Sequence, residues 1–175
     1  WEMGGLLNPQ LLAHDGQAAV LDLRVPEFRI EPFDDAVRRL GATIVADDRV
    51  RLCREPDAPV PNLVYALLVT GRNGSDWLQL DTGAGETSIA AGSPLVRGEQ
   101  LEPGGEMMGV AGRPIEYSVA RGLSLSFAGS RATVDAQVVD TSVGGCGGAG
   151  LLGRDAVERC ALVLGPDSVA LACAP

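Results

Sequence analysis

Apolar and polar residues alternate through much of this chain in short runs broken by turn residues, the pattern of β-strands rather than helices. Leu63 to Thr70 and Trp77 to Leu80 are two such runs. Between them lies Gly71-Arg72-Asn73-Gly74-Ser75, whose Asn-Gly step predicts a tight hairpin. Asn73-Gly74-Ser75 also fits a glycosylation sequon, but the turn accounts for it. Ile115 to Ala120, Leu123 to Phe127 and Thr133 to Val139 continue the β pattern, with breaks at Arg121-Gly122 and Ala128-Gly129-Ser130. Gly144 to Gly150 is glycine-rich and leads into Leu151-Leu152-Gly153-Arg154-Asp155. A short helix is expected from Asp155 to Arg159.

The stretch from Cys160 to Cys173 reads as a hairpin turning at Pro166-Asp167. Folding it there sets Leu164 opposite Val169 and, counting outwards, Cys160 opposite Cys173. Directly opposed strand residues can lie within disulfide reach. A Cys160–Cys173 bridge leaves Cys53 and Cys146 for each other and implies an oxidising, secreted or periplasmic setting for a soluble protein. The alternative is four buried free thiols.

The N-terminal part carries an imperfect repeat of the C-terminal part. Gly5-Leu6-Leu7 and then Ala19-Val20-Leu21-Asp22-Leu23 resemble Gly150-Leu151-Leu152 and then Ala161-Leu162-Val163-Leu164. After a Pro-containing turn in each, Phe28-Arg29-Ile30 stands against Val169-Ala170-Leu171. A true duplication makes residues 5–30 the closing segment of a preceding lobe; chance likeness in a Gly/Leu-rich chain is the alternative. Asp34 to Leu40 reads as a helix, with acids in its first turn and Gly41 beyond its end. Thr43 to Cys53 reads as a strand pair, and Glu55 to Pro61 as a stiff, proline-rich linker. The division expected is an N-terminal extension over 1–59 and a main lobe over 60–175.

Composition sharpens this picture. The 23 glycines and 11 prolines among 175 residues suit short strands and turns, and the apolar share of 46% is enough for a core. A net charge of −9 argues against nucleic acid and anionic membranes as partners. Every basic residue is arginine, so Schiff-base chemistry and a phosphate-loop lysine are excluded. The longest apolar run, Leu63 to Val69, is too short for a helix that crosses a bilayer. A single histidine and the lack of C-x-x-C spacing leave no metal or other cofactor expected. His14 is a surface residue on this reading, remote from any nucleophile signature. Gly144 to Gly148 lacks the lysine and the strand–helix context of a phosphate loop. The chain opens on Trp1, which suggests that a segment precedes it.

The residues with chemistry to offer are Asp81-Thr82-Gly83-Ala84, delivered by the apolar strand Trp77 to Leu80 and followed by Thr87-Ser88. As a bare triplet Asp-Thr-Gly reads as a polar turn. Its context is more specific, because Leu151-Leu152-Gly153-Arg154-Asp155 follows a Gly-rich middle region. That order resembles the retropepsin family of aspartic proteases over roughly Val60 to Ala174. The resemblance implies a mostly β fold: a closed or partly open β-barrel lobe, with one short helix after the Leu-Leu-Gly-Arg-Asp strand. It implies that Asp81 is the catalytic aspartate. Thr82 would hydrogen-bond across a lobe interface, and Gly83 and Ala84 would shape the loop for close approach of a peptide backbone. Leu151, Leu152 and Gly153 would pass beneath that loop, and Arg154 would open the helix. Gly104 to Gly112 would be the flap, with Met107, Met108, Gly109 and Val110 against substrate; a plain surface loop is the alternative. The chain departs from retroviral members where Gly85-Glu86 follows Ala84, so the carboxylate expected to partner Arg154 is either missing or supplied from elsewhere. Its N-terminal extension is a second departure.

Peptide hydrolysis of this kind needs two carboxylates that share a proton. One activates water and the other donates to the scissile carbonyl oxygen. This chain offers one Asp-Thr-Gly, so the second aspartate belongs to another copy in a homodimer or to an upstream lobe. A two-fold dimer supplies it directly. The rival expectation is a catalytically inactive peptide-binding or dimerisation module.

Overall fold

The computed structural model describes residues 9–55, 62–108, 114–140 and 146–174. The repeat's Gly5-Leu6-Leu7, most of the proline-rich linker, the flap tip with Gly109 and Val110, and residues 141–145 lie outside the described residues.

In chain order a 3-10 turn at Pro9–Leu12 leads into a hairpin of β1 (Gln17–Asp22) and β2 (Glu27–Pro32), then helix α1 (Phe33–Leu40). Helix α1 carries Asp34 and Asp35 in its first turn and Arg38 and Arg39 in its last, signs that complement the helix dipole. It stops at Gly41, whose left-handed backbone (φ 61°) supplies the cap. Two short pieces follow, β3 (Thr43–Ile44) and β4 (Val50–Glu55). They were expected to pair with each other, but β3 joins β13 (Val169–Cys173) and β4 joins β5 (Asn62–Gly71). A 3-10 turn at Asp47–Arg49 separates them, so the chain passes from one sheet to the other there.

Strand β5 turns through Arg72-Asn73 into β6 (Gly74–Leu80), as the Asn-Gly step predicts. Next come β7 (Ser88–Ala90), β8 (Leu101–Met108), β9 (Pro114–Phe127) and β10 (Ser130–Val139). Expected as two strands broken at Arg121-Gly122, β9 is one strand with a bulge. The register slips between Val134 and Ala136, and Asp135 accepts hydrogen bonds from the Gly122 N–H and from Arg121. Gly122 (φ 59°) supplies the left-handed residue that such a bulge needs. The chain ends with β11 (Gly150–Leu152), the one-turn helix α2 (Arg154–Val157), β12 (Cys160–Leu164) and β13.

Eight strands form one sheet in the order β4-β5-β6-β11-β7-β10-β9-β8. A Thr70↔Ser126 pairing between β5 and β9 closes its middle six strands into a ring. Leu123, Leu125 and Phe127 of β9 point inward between outward Ser124 and Ser126, a period of two that fills the ring. Tyr65, Leu67 and Val69 do the same from β5.

The second sheet has the order β2-β1-β12-β13-β3 and closes one end of the ring. Ala19, Leu162, Leu164, Val169 and Leu171 join the ring's own core cluster from one face. Ala18, Val20, Val163 and Ala170 face the other way, against Phe33 and Val37 of α1. Both sheets therefore draw strands from either side of residue 60. Tyr65, buried inside, donates its hydroxyl to the carbonyls of Gly165 and Ser168, which fastens the β12–β13 turn to the ring.

The β12–β13 register matches expectation, with Cys160 opposite Cys173 and Leu164 opposite Val169. Both expected disulfides form, Cys160–Cys173 and Cys53–Cys146. In the first hairpin, Asp22 is 5% exposed and grips Arg24 through both carboxylate oxygens at 2.8 and 2.7 Å. That guanidinium holds the Asp22 carboxyl below its ordinary pKa. The pair's contribution to stability is thus complete above the unfolded carboxyl value and is lost as pH falls through the lowered folded one.

Candidate functional site

The strand carrying Asp81 is not an edge. β6 and β11 run parallel, with Leu80 opposite Leu152, so the chain leaves β6 beside the end of β11. The Asp81 N–H extends that ladder by donating to the Leu152 carbonyl at 3.1 Å. The backbone then turns sharply, and the Ala84 N–H returns to the Asp81 carbonyl at 3.3 Å. Asp81 Oδ1 accepts from the N–H groups of Gly83 and Ala84 at 2.9 and 3.2 Å. A side chain on Gly83 would put its Cβ 3.2 Å from that same oxygen. The loop thus fixes one carboxylate oxygen, while Oδ2 makes no hydrogen bond among the described residues. Asp81 as a whole is half-buried.

The far side of the loop is held from below. The Arg154 N–H donates to the Ala84 carbonyl at 2.8 Å, and the Asp155 N–H to the Gly85 carbonyl at 3.3 Å. Gly153 is required here: a Cβ would lie 2.5 Å from the Glu86 carbonyl carbon and 2.7 Å from the Thr87 nitrogen. Those are backbone atoms and cannot swing aside. Replacing Gly153 by alanine is expected to cost about 2 kcal/mol through overpacking, read as a lower urea midpoint.

Two residues that sequence reasoning left without a role complete the support. Thr87 is fully buried, and its hydroxyl donates to Asp155 Oδ1 at 2.7 Å. The same hydroxyl accepts from the Gly153 N–H at 3.1 Å, and the Thr87 N–H donates to Asp155 Oδ2 at 3.1 Å. This three-way junction ties the start of β7 to the start of α2. A hydroxyl residue opening the apolar Ile89 strand, and an acid in the first turn of α2, were its only sequence signals. Thr87→Val keeps the shape, orphans the Gly153 N–H and strips a donor from Asp155. It should destabilise by about 2 kcal/mol in urea titration.

Of the sequence-predicted residues, Asp81, Gly83, Ala84, Leu152, Gly153 and Arg154 are brought together by these bonds. Thr82 is half-buried and makes no side-chain hydrogen bond among the described residues. The Arg154 side chain is exposed and forms no ion pair among the described residues. The helix it opens spans Arg154–Val157, beginning one residue before the expected Asp155 and ending two before Arg159.

Met107 and Met108 end β8, which pairs with the start of β9 through Met107↔Ile115 and Met108↔Pro114. This two-stranded arm is mostly exposed, and Met108 is 72% exposed. A bulge between Pro103 and Glu106 interrupts it at Gly104-Gly105. There the Tyr117 ring crosses so closely that a Cβ on Gly104 would lie 2.6 Å from it.

No group of three or more His, Cys, Asp or Glu residues among the described residues is placed to hold a metal ion. Nor is any described helix long and apolar enough to cross a membrane. Comparison with protein-family models and with curated proteins finds no match, so what can be said of this site comes from its own residues.

Proposed function

We propose that this chain is one lobe of an aspartic endopeptidase similar to the retropepsins, with Asp81 as its contribution to a catalytic dyad. The observation that carries the reading is the Asp81 loop. One carboxylate oxygen is pinned by two backbone N–H groups, the other is free among the described residues, and the loop is buttressed by the Leu152-Gly153-Arg154 crossing. A plain polar turn needs no such support.

The chemistry follows from placing a second carboxylate beside Asp81. Two like charges that close cannot both ionise, so the pair holds one proton between them. The ionised member takes a proton from water, whose oxygen attacks the peptide carbonyl carbon. The protonated member gives its proton to the carbonyl oxygen, forming a neutral gem-diol. On collapse the dyad's proton passes to the amide nitrogen, the C–N bond breaks to release the amine, and one hydroxyl proton of the gem-diol returns to the dyad. The exposed β8–β9 arm supplies the flap on this reading, with Met107 and Met108 toward the peptide. The two disulfides favour a secreted or periplasmic site of action.

The test is cleavage of an unbiased peptide mixture by the assembled protein at acidic to neutral pH. A statine-type mimic of the gem-diol should block it. Binding of the mimic without cleavage would instead favour an inactive peptide-binding module, and neither binding nor cleavage would remove both readings.

A further inference from the structure

The β1–β2 and β12–β13 hairpins lie side by side with their first strands antiparallel, Val20 facing Val163. Neighbouring strands that pair in this way are related by a local two-fold through that pair. Counting outward from it, Ala19 and Leu21 are the mates of Leu162 and Leu164. In the outer strands, Phe28 stands opposite Leu21 and Ile30 opposite Ala19, so their mates are Val169 and Leu171. About this axis β2 falls on β13 in the alignment read from the sequence, while β1 is shifted by one residue against β12.

Mated positions share a face but not an environment. Leu164, Val169 and Leu171 are 5%, 0% and 3% exposed beneath the ring, whereas Phe28 is 46% exposed and Leu21 and Ile30 are only partly covered. The turns differ likewise. Tyr65 fastens the second turn, while Val25 in the first is 60% exposed. Leu21 and Ile30 rest against the margin of this chain's own core, and Val25 and Phe28 extend the strip as exposed apolar surface; the mate of this strip is covered by a β-barrel.

We infer that this strip seats a second barrel of the same kind, encoded ahead of β1 in the same polypeptide. A second copy of this chain does not fit the place. Its barrel already has its corresponding end closed by its own β12–β13 hairpin, so it would have to shed that hairpin first. The occupant is instead a barrel without a closing hairpin, and β1–β2 is the hairpin it lacks. Since β12–β13 follows its barrel in the chain, its mate β1–β2 follows its own. The docking rests on the sheet alone; that the second barrel carries the partner of Asp81 rests on the proteolytic reading above.

The experiment compares the polypeptide as its gene encodes it with the 175-residue chain. Backbone hydrogen exchange across residues 17–32 should be about tenfold slower or more in the longer protein. Phe28→Glu should lower the urea midpoint of the longer protein clearly and leave that of the 175-residue chain nearly unchanged, which separates docking from folding. The inference is overturned if the gene encodes no barrel ahead of β1, or if the strip exchanges equally in both. It is also overturned if the 175-residue chain dimerises and protects the strip in proportion to its concentration. Protection without peptide cleavage would leave this inference standing and remove only the proteolytic reading.

Discussion

Asp81→Asn should reduce kcat/KM for peptide cleavage by about 10^3-fold or more while leaving the fold unchanged. The substitution is informative because of how the loop divides the carboxylate. The Gly83 and Ala84 N–H groups both bind Oδ1, and an asparagine oxygen can accept the same two bonds. The loop, its crossing by Leu152-Gly153 and the thermal midpoint should all be retained. What disappears is the second oxygen, replaced by an amide that neither ionises nor shares a proton with its partner. The measurement is a steady-state rate beside a denaturation curve, both on protein with its second aspartate in place. Full activity in the variant would remove Asp81 from the chemistry whatever its geometry, and loss of folding would show that the carboxylate is structural.

The two disulfides should differ in worth, and in a predictable order. Cys53 and Cys146 are 93 residues apart, whereas Cys160 and Cys173 are separated by 13. A cross-link restricts the unfolded chain more as the loop it closes lengthens. Chain-entropy arithmetic gives about 4.6 kcal/mol for the long loop and about 2.9 kcal/mol for the short one. The short bridge also joins two strands already paired over five residues, so its removal leaves a hairpin that other contacts hold. Removing the long one frees β4 from the segment that leads into β11. Paired Cys→Ala variants, each compared by urea unfolding, should show Cys53/Cys146 as the costlier loss. The reverse order would mean that native strain or residual unfolded structure outweighs loop length.

What the sequence revealed, and what it did not, follows from the range of the interactions. The β12–β13 register was legible because a short turn and two cysteines fix it locally. Helix α1 announced itself through its charges and Gly41. Asp81 and Leu152-Gly153 could be singled out because each follows or ends an apolar strand and because their order along the chain resembles that of the retropepsin family. The separation of β3 from β4 could not be seen, since both are short and their partners are distant in sequence. Arg121-Gly122 looked like a turn because a left-handed glycine serves turns and bulges equally, and only the opposing Asp135 decides between them. Strand β8 was hidden by Pro103, Gly104 and Gly105, residues poor in strand propensity, which the bulge accommodates. The Thr87–Asp155 junction joins residues 68 positions apart, beyond any local pattern.

That same separation sets an order of events during synthesis. A ribosome releases Asp81 long before Leu152, Gly153 and Asp155, so the nascent chain carries its reactive loop with nothing beneath it. β6 then also lacks its parallel neighbour β11, and the ring cannot close around it. Such distant pairings form slowly, because chain entropy is lost before contacts compensate for it. The Asp81 loop therefore acquires its folded geometry only when nearly the whole chain has emerged, and a product truncated before β11 is born without it. On the proteolytic reading proposed above, such a chain is kept silent while it is being made, by topology alone.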